Sequence, residues 1–192
     1  MRLPCLGGVP EVTKNDYGAR SYGTSYPGCM GSGSWSRFDG MFYITSESPP
    51  VRTADVIDGS SKTALFGEWV PTKYLPEGPS AYGFLMYVTD RPPTRDAFLN
   101  TCLSFRYSRQ EPNTDSIAAD WHDGFETMYN HQLQPNLRSC GGIEYYKCAH
   151  TSSSFHDGIV HVAFVDGHVE EASESIGLEI WRALGSRNGN EN

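Results

Sequence analysis

His156 and the pair Asp166-Gly167, which nine residues separate, combine residue types that could bind a metal ion or a partner. Imidazole and carboxylate groups are both common metal ligands. If the residues between them form an extended strand, the two side chains lie about 25–30 Å apart, unless the chain bends at Asp157-Gly158. The spacing therefore favours a structural interpretation, in which Asp166-Gly167 forms a turn and His156 hydrogen-bonds a backbone group where the strand begins.

A second candidate site is the polar loop Asp58-Gly59-Ser60-Ser61, which precedes Glu68. Oxygen-rich loops of this kind can bind Ca²⁺, so Asp58 and Ser60 are candidate calcium ligands. The full EF-hand pattern is absent, and turn formation accounts for Asp58 and Gly59 without a metal. We therefore expect no cofactor, with calcium as the alternative. Because a lone buried carboxylate is costly, we expect Glu68 to pair with a buried donor such as an arginine.

The other histidines match no metalloprotease spacing, and the chain has neither a nucleophile elbow nor a phosphate-binding loop. We therefore predict that the protein is not an enzyme. The weaker alternative is an enzyme of unknown type that uses His156, Asp166 or Glu68. The histidines in question are His122, His131, His150, His161 and His168.

The five cysteines show no C-x-x-C spacing, which is evidence against the common zinc and thioredoxin motifs. Cys140 and Cys148 flank a short segment with two glycines and are the candidate disulfide. The odd count leaves at least one thiol unpaired. Scattered cysteines of this kind fit an oxidising compartment.

The clearest local structure lies near the C-terminus, where residues 159–165 form a β-prone apolar run and residues 168–172 follow the pair Asp166-Gly167. An Asp-Gly pair between two β runs predicts a hairpin with a two-residue type I′ turn. The first strand is apolar on both faces and is expected to be central in its sheet. The second strand alternates between apolar and polar residues and is expected to be half exposed.

The remaining patterns predict an α+β fold dominated by an antiparallel β-sheet, with the hairpin and a short terminal helix at its end. One helical turn is expected at residues 53–59, with Thr53 as its N-cap and Gly59 as a left-handed stop. A helix is expected from Asp96 to about Phe105. The terminal helix has Ile180, Trp181 and Leu184 on its apolar side and Gly185 as its end. Strands are expected at residues 41–45, 64–70 and 81–89, with a loop-like stretch at 113–140.

Residues 1–192 are expected to form a single globular domain, with a loop-rich segment at 1–39 and the main head at 40–187. The first segment is rich in glycine, serine and tyrosine and contains Trp35. Aromatic side chains either pack beneath a loop or stack on sugar rings. The second option makes a secreted carbohydrate-binding module the alternative function.

The net charge is −8, with no compensating basic cluster. Such a surface repels phosphates, so we expect no nucleic-acid partner. The chain also lacks a run of about 18 apolar residues that could span a membrane.

Three segments together resemble a large bacterial prepilin-like family, also known as domain of unknown function 1559. The hallmark of that family is His, nine residues, then Asp-Gly, as at His156 to Gly167, followed by a Trp-Arg-Ala-Leu-Gly stretch, as at Trp181 to Gly185. Residues 54–68 (ADVIDGSSKTALFGE) and 129–140 (YNHQLQPNLRSC, which includes His131) are similar to two further family segments. The resemblance covers most of residues 50–187.

The resemblance implies the non-enzymatic structural head of a pilin-like or pseudopilin-like subunit. Such a head would be exported and associated with the cell surface or with a type II secretion or type IV pilus-like system. Its partners would be copies of itself or other pilin-like subunits. The family's leader and apolar helix, which would anchor it in the inner membrane, are absent from this sequence, so we expect the chain to start inside the head. Lys62 stands where the family commonly has Asn, so a ligand role of that amide does not carry over.

Overall fold

The computed structural model describes residues 13–14, 20–21, 24–32, 39–43, 50–70, 84–88, 91–104, 114–116, 127–142 and 147–189. None of the helices in these ranges is both long enough and apolar enough to cross a bilayer.

Short strands dominate the described ranges. The strands are β1 (Thr13–Lys14), β2 (Arg20–Ser21), β3 (Gly28–Cys29), β4 (Ala64–Gly67), β5 (Phe84–Val88), β6 (Thr114–Ser116), β7 (Met128–Tyr129), β8 (Ser139–Gly142), β9 (Cys148–Ala149), β10 (Ile159–Phe164) and β11 (Val169–Ser173). The helices are a single 3₁₀ turn at Thr53–Asp55, α1 (Arg95–Ser104) and α2 (Leu178–Gly185).

The strands form a five-stranded sheet in the order β11-β10-β4-β3-β7, a four-stranded sheet in the order β6-β5-β8-β9, and the pair β1-β2. Within the described strands, β3–β7 and β5–β8 are parallel and the other pairings are antiparallel. The protein is therefore α+β and sheet-dominated with a short C-terminal helix, as the sequence predicts, although both larger sheets are mixed.

The five-stranded sheet buries one face under α2. Along β10 the side chains alternate, so that Val160, Val162 and Phe164 are buried while the residues between them are half-buried. This alternation is the period-two geometry of a strand. The core on this face consists of Cys29, Ala64, Tyr129, Val160, Val162, Phe164, Ala172 and Trp181.

The opposite face of the same sheet carries exposed apolar side chains. Phe66 in β4 pairs with Ala163 in β10, which pairs in turn with Val169 in β11. Directly paired residues point to the same face of a sheet. Phe66 is 39% exposed and Val169 is 59% exposed. Residues 159, 161 and 163 of β10 also point to this side, which we call the open face.

The predicted C-terminal hairpin forms, but its turn differs from the prediction. The ladder runs from Ile159–Ser173 to Ala163–Val169, and β10 lies between β11 and β4, as expected of a central strand. The Gly167 N–H donates to the Phe164 carbonyl, and the Phe164 N–H donates to the His168 carbonyl.

The loop therefore contains three residues, and the predicted two-residue type I′ turn is wrong. Gly167 has a φ of +93°, whereas Asp166 is not among the described residues with positive φ. This matches a turn closed by one left-handed glycine. The Val165 N–H donates to the Thr63 carbonyl, and this contact with the preceding loop holds the wider turn.

The predicted Cys140–Cys148 disulfide is wrong, because Cys140 bonds to Cys102 and Cys148 is a free buried thiol. In the β8–β9 pair, Cys140 lies opposite Ala149, while Cys148 lies opposite Gly141. Neighbouring positions of a strand point to opposite faces, so the side chains of Cys140 and Cys148 diverge. Cys140 meets α1 in a second core cluster of Val88, Phe98, Leu99, Cys102, Leu133, Cys140 and Ala149.

Several other expected elements are found close to their predicted positions. Helix α1 matches the predicted helix, and β4 and β5 lie within their predicted segments. Thr53 begins the 3₁₀ turn and does not cap it. The stretches expected to be loop-rich contribute strands β3, β6 and β7 to the sheets, and residues 41–43 are not in a strand. Residues 44–45 lie outside the described residues.

Candidate functional site

Glu68 follows β4 directly and projects onto the open face of the five-stranded sheet. The backbone carbonyl of Glu68 accepts hydrogen bonds from Ser152 Oγ at 2.8 Å and from the Ser153 N–H at 3.0 Å. The segment after β9 thus fixes the backbone from which the carboxylate projects. The Glu68 side chain is 12% exposed.

His161 lies opposite Glu68 because of strand register. In the β4–β10 ladder, Gly67 pairs with Val162 and Phe66 with Ala163, so one further step of the ladder places Glu68 opposite His161. The His161 backbone N–H donates to Glu68 Oε2 at 2.8 Å, and its ring Nδ1 lies 3.2 Å from the same oxygen.

His156 reaches the same carboxylate from the loop before β10. Its ring Nε2 lies 3.4 Å from Glu68 Oε1, and its ring packs edge-on against that of His161 with centroids 4.8 Å apart. Ser154 orders this loop, since its hydroxyl donates to the Ile159 carbonyl at 2.6 Å and accepts the His156 N–H at 3.0 Å.

The three side chains form a partly buried cluster, which we call the Glu68 cluster. One ligand atom from each of Glu68, His156 and His161 lies within 4.8 Å of the others, and in the described part of the chain no other group of three or more His, Cys, Asp or Glu residues is arranged in this way. The side chains of His156 and His161 are 23% and 35% exposed, so the cluster lies at the edge of the protein and not in its interior. Two imidazoles and one carboxylate form a donor set that suits divalent transition metals.

His156 and Asp166 do not meet. Asp166 lies in the hairpin turn, where its carboxylate accepts a hydrogen bond from His168 Nδ1 and another from the His168 N–H. The His168 contact lowers the pKa of Asp166, and the Asp166 contact raises the pKa of His168. The interpretation of Asp166-Gly167 as part of a turn is therefore confirmed, while the ring of His156 contacts Glu68.

Glu68 does not pair with an arginine among the described contacts; its carboxylate contacts two histidines and one backbone N–H. The expected polar partner of Glu68 is found, but it is a pair of half-buried histidines and not a buried donor such as an arginine. Sequence reasoning missed His161 as a partner because 93 residues separate it from Glu68. Its position inside the β-prone run, five residues after His156, is the signal that could have indicated it.

Asp58 connects its loop to the end of the chain. Its Oδ2 accepts hydrogen bonds from Ser186 Oγ at 3.2 Å and from the Gly189 N–H at 2.8 Å. Gly59 has a φ of +100°, the left-handed conformation expected for it. The Ser60 carbonyl accepts the Asp166 N–H, which joins this loop to the hairpin turn. Calcium binding by Asp58 and Ser60 stays a prediction.

His131 and Trp181 form the centre of the interior. Their rings stack with centroids 3.6 Å apart and planes 6° apart, and the Trp181 indole N–H donates to the Leu133 carbonyl at 2.8 Å. His131 Nδ1 contacts the Trp181 carbonyl, which can only accept, so Nδ1 carries the proton. The other ring nitrogen then accepts from the Tyr129 hydroxyl at 3.2 Å. Burial lowers the pKa of His131 to about 3, so the ring is neutral at physiological pH.

Two glycines leave room for the buried rings of His131 and Tyr129. A Cβ on Gly185 would lie 2.7 Å from His131 Cγ, and one on Gly67 would lie 2.6 Å from the ring of Tyr129. Gly185 ends α2, as predicted, but it is required for close approach and does not adopt a left-handed φ. His131, Trp181 and Gly185 are therefore structural residues.

Asn136 is a further structural residue that the sequence patterns did not single out. It has a φ of +61°, and its side-chain oxygen accepts the Ser154 N–H at 3.0 Å while its amide donates to Glu174. It thereby orders the serine-rich segment that precedes His156. Trp35, on which the sugar-binding alternative depends, lies outside the described residues.

Taken together, these elements define a sheet-dominated α+β fold with a C-terminal hairpin and with α2 packed on one sheet face. Residues 6–179 match the model of the family described as "Protein of unknown function (DUF1559)". The chain belongs to this family. The matched range includes His156, Asp166 and Gly167 and ends just before Trp181. Neither the curated proteins nor the solved structures contain a significant match to the chain.

Proposed function

We propose that the chain is the non-enzymatic head of a pilin-like or pseudopilin-like structural subunit. The observation that carries the proposal is that residues of the three family-like segments contact one another in the interior. His131 stacks on Trp181, Gly185 gives His131 room, and Asp58 holds Ser186 just after α2. Residues used in this way stabilise a fold and do not line a substrate site.

The open face supports an assembly role. Phe66, Ala163 and Val169 form a row across three adjacent strands, and Phe42 extends it by packing on Phe66 with ring centroids 5.4 Å apart. Exposed apolar patches on soluble heads mark interaction surfaces. In the proposal, this row packs against the apolar N-terminal helix of a pilin-like subunit, and other pilin-like subunits or further copies are the partners.

The Cys102–Cys140 disulfide supports an extracytoplasmic location, because disulfides persist in oxidising compartments. The net charge of −8 supports a soluble head without nucleic-acid partners. In the full-length form, the proposal places the head outside the cytoplasm, anchored to the inner membrane or carried on a surface filament.

The test is to express the complete reading frame from its native locus and to follow the protein by membrane fractionation and thiol alkylation. We expect the protein in the membrane or surface fraction, with Cys102 and Cys140 protected from alkylation until a reductant is added. Recovery in the cytosolic fraction with both cysteines open to alkylation would overturn the proposal. Cys148 is the internal control. Because its thiol is free and buried, we expect it to be labelled only after the protein is unfolded.

A further inference from the structure

We propose that Glu68, His156 and His161 bind a divalent transition-metal ion of the Zn²⁺ class. The inference goes beyond the proposed assembly role, because metal binding by these three side chains does not depend on what packs against the open face. It rests on the geometry of the Glu68 cluster, the surrounding contacts that order it, and the chemistry of its donor atoms.

Each imidazole of the cluster lies close to one oxygen of the Glu68 carboxylate. Two ligands about 2.0–2.1 Å from a tetrahedral Zn²⁺ lie roughly 3.3–3.4 Å apart. His156 Nε2 lies 3.4 Å from Glu68 Oε1 and His161 Nδ1 lies 3.2 Å from Glu68 Oε2, while one donor atom from each of the three residues lies within 4.8 Å of the others. Small shifts of the three side chains would bring these atoms around one ion.

Backbone contacts order two members of the cluster. Glu68 is held by its carbonyl and His156 by its backbone N–H. The remaining ring nitrogen of His161, Nε2, lies 3.9 Å from Glu171 Oε1, beyond hydrogen-bond distance. With Nδ1 as the ligand atom, this nearby carboxylate would favour positive charge at the site through a long-range electrostatic interaction.

The donor set selects the class of ion. Ca²⁺ takes six to eight oxygen ligands and Mg²⁺ keeps an octahedral oxygen shell, whereas imidazole suits Zn²⁺ and its neighbours in the first transition row. Three protein ligands leave at least one coordination position for water or for a donor from a partner. The cluster lies on the same face of the sheet as Phe66 and Val169.

The free cysteine thiols among the described residues compete poorly with the Glu68 cluster for Zn²⁺. Cys29 and Cys148 are buried, and desolvation raises the pKa of each thiol to about 12. They are therefore protonated at neutral pH, whereas zinc binds the thiolate. Within the described part of the chain, a competing histidine on the surface is His168, whose ring contacts Asp166 and Glu170 in the hairpin.

The experiment is isothermal titration of the chelator-treated chain with ZnCl₂, repeated with CaCl₂. The variants are His156→Gln and His161→Gln, with His168→Gln as the matched control, since its ring is as exposed as that of His161. We expect one saturable Zn²⁺ equivalent, no Ca²⁺ binding, affinity reduced by about tenfold or more in the first two variants, and wild-type affinity in the control. Absence of saturable Zn²⁺ binding, or a loss confined to His168→Gln, would overturn the proposal.

A second measurement needs no variant and is unaffected if a substitution unfolds the head. X-ray absorption at the zinc edge of the loaded wild-type chain should show nitrogen and oxygen ligands only, with scattering from two imidazoles. A sulfur shell, or fewer than two imidazoles, would contradict the assignment.

Discussion

The imidazole of His131 lies flat on the indole of Trp181, and its Nδ1–H donates a hydrogen bond to the backbone carbonyl of the same tryptophan. The two residues are 50 positions apart in the chain and both are fully buried. This pair joins β7 and its following loop to α2. Four of the predictions below test the interior built around this pair and the cross-link beside it, and the last tests the open face.

Removing the indole should be the most damaging single change in the interior. Trp181→Ala deletes a fully buried ring and leaves the Leu133 carbonyl without its donor, so the free energy of unfolding should fall by about 3–5 kcal/mol. Urea denaturation measures the change. Ile180→Ala is the matched control, because that side chain is 62% exposed and its loss should be nearly neutral. Equal effects of the two substitutions would contradict the packing described.

Gly185→Ala should destabilise the head although it adds only one methyl group. The new carbon would lie 2.7 Å from His131 Cγ, and relieving such a contact costs about 1–3 kcal/mol. Gly177→Ala is the control at the other end of α2, where the added carbon would meet its nearest atom, Ile180 Cδ1, at 3.7 Å. Thermal unfolding should show a lower midpoint only for the first variant. An unchanged midpoint for Gly185→Ala would mean that the stack has room to move.

Two buried histidines should make the head acid-sensitive. Burial lowers the pKa of His131 to about 3 and that of His150 to about 4, from an ordinary value of 6.5. The unfolded chain therefore takes up protons first as pH falls, so stability present above pH 6.5 is lost below it, by up to about 1.4 kcal/mol per pH unit for each histidine.

The measurement is the free energy of unfolding between pH 7 and pH 5 for wild type and for His131→Gln. The variant should show the shallower slope. His168→Gln is the control with the opposite sign: its pKa is raised, so His168 contributes stability at low pH that is lost as pH rises. A wild-type slope in His131→Gln would show that His131 is not the acid-sensitive group.

The disulfide pairing can be tested directly. Peptide mapping without reductant should recover Cys102 linked to Cys140 and Cys148 as a free thiol. Cys102→Ala should lower the free energy of unfolding by about 2–4 kcal/mol, because the lost bond closes a loop between residues 38 positions apart. Cys148→Ala, the control, should lose only the packing of a small buried side chain. Recovery of a Cys140–Cys148 peptide would refute the pairing.

The C-terminal hairpin and α2 could be predicted from the sequence because their signals are local. The Asp166-Gly167 pair and the flanking β runs indicate the hairpin within a few residues. The turn length could not be predicted in this way, since it depends on the contact of Val165 with Thr63, about a hundred positions earlier. The disulfide pairing could not be predicted for a similar reason. Cys140 and Cys148 are close in the sequence, but the register of β8 and β9 places their side chains on opposite faces of the sheet.

The Glu68 cluster shows the same limit. Its members come from the end of β4, a loop and the middle of β10, and only the register of the β4–β10 ladder brings Glu68 opposite His161. The residue types were visible in the sequence, but the pairing of Glu68 with histidines required the register. Register between distant strands is set by packing of the buried face, here Val160, Val162 and Phe164, and not by local sequence.

The most direct test of the proposed role is site-specific photo-crosslinking of the full-length protein in cells, with the photoreactive residue at Phe66 on the open face. The matched control position is Ile180, which is also exposed but lies on α2 and covers the opposite face. The account predicts that residue 66, and not residue 180, crosslinks to an apolar helix of the same or a neighbouring subunit, as identified by mass spectrometry. Crosslinks to that helix from residue 180 alone, or from neither position, would contradict it.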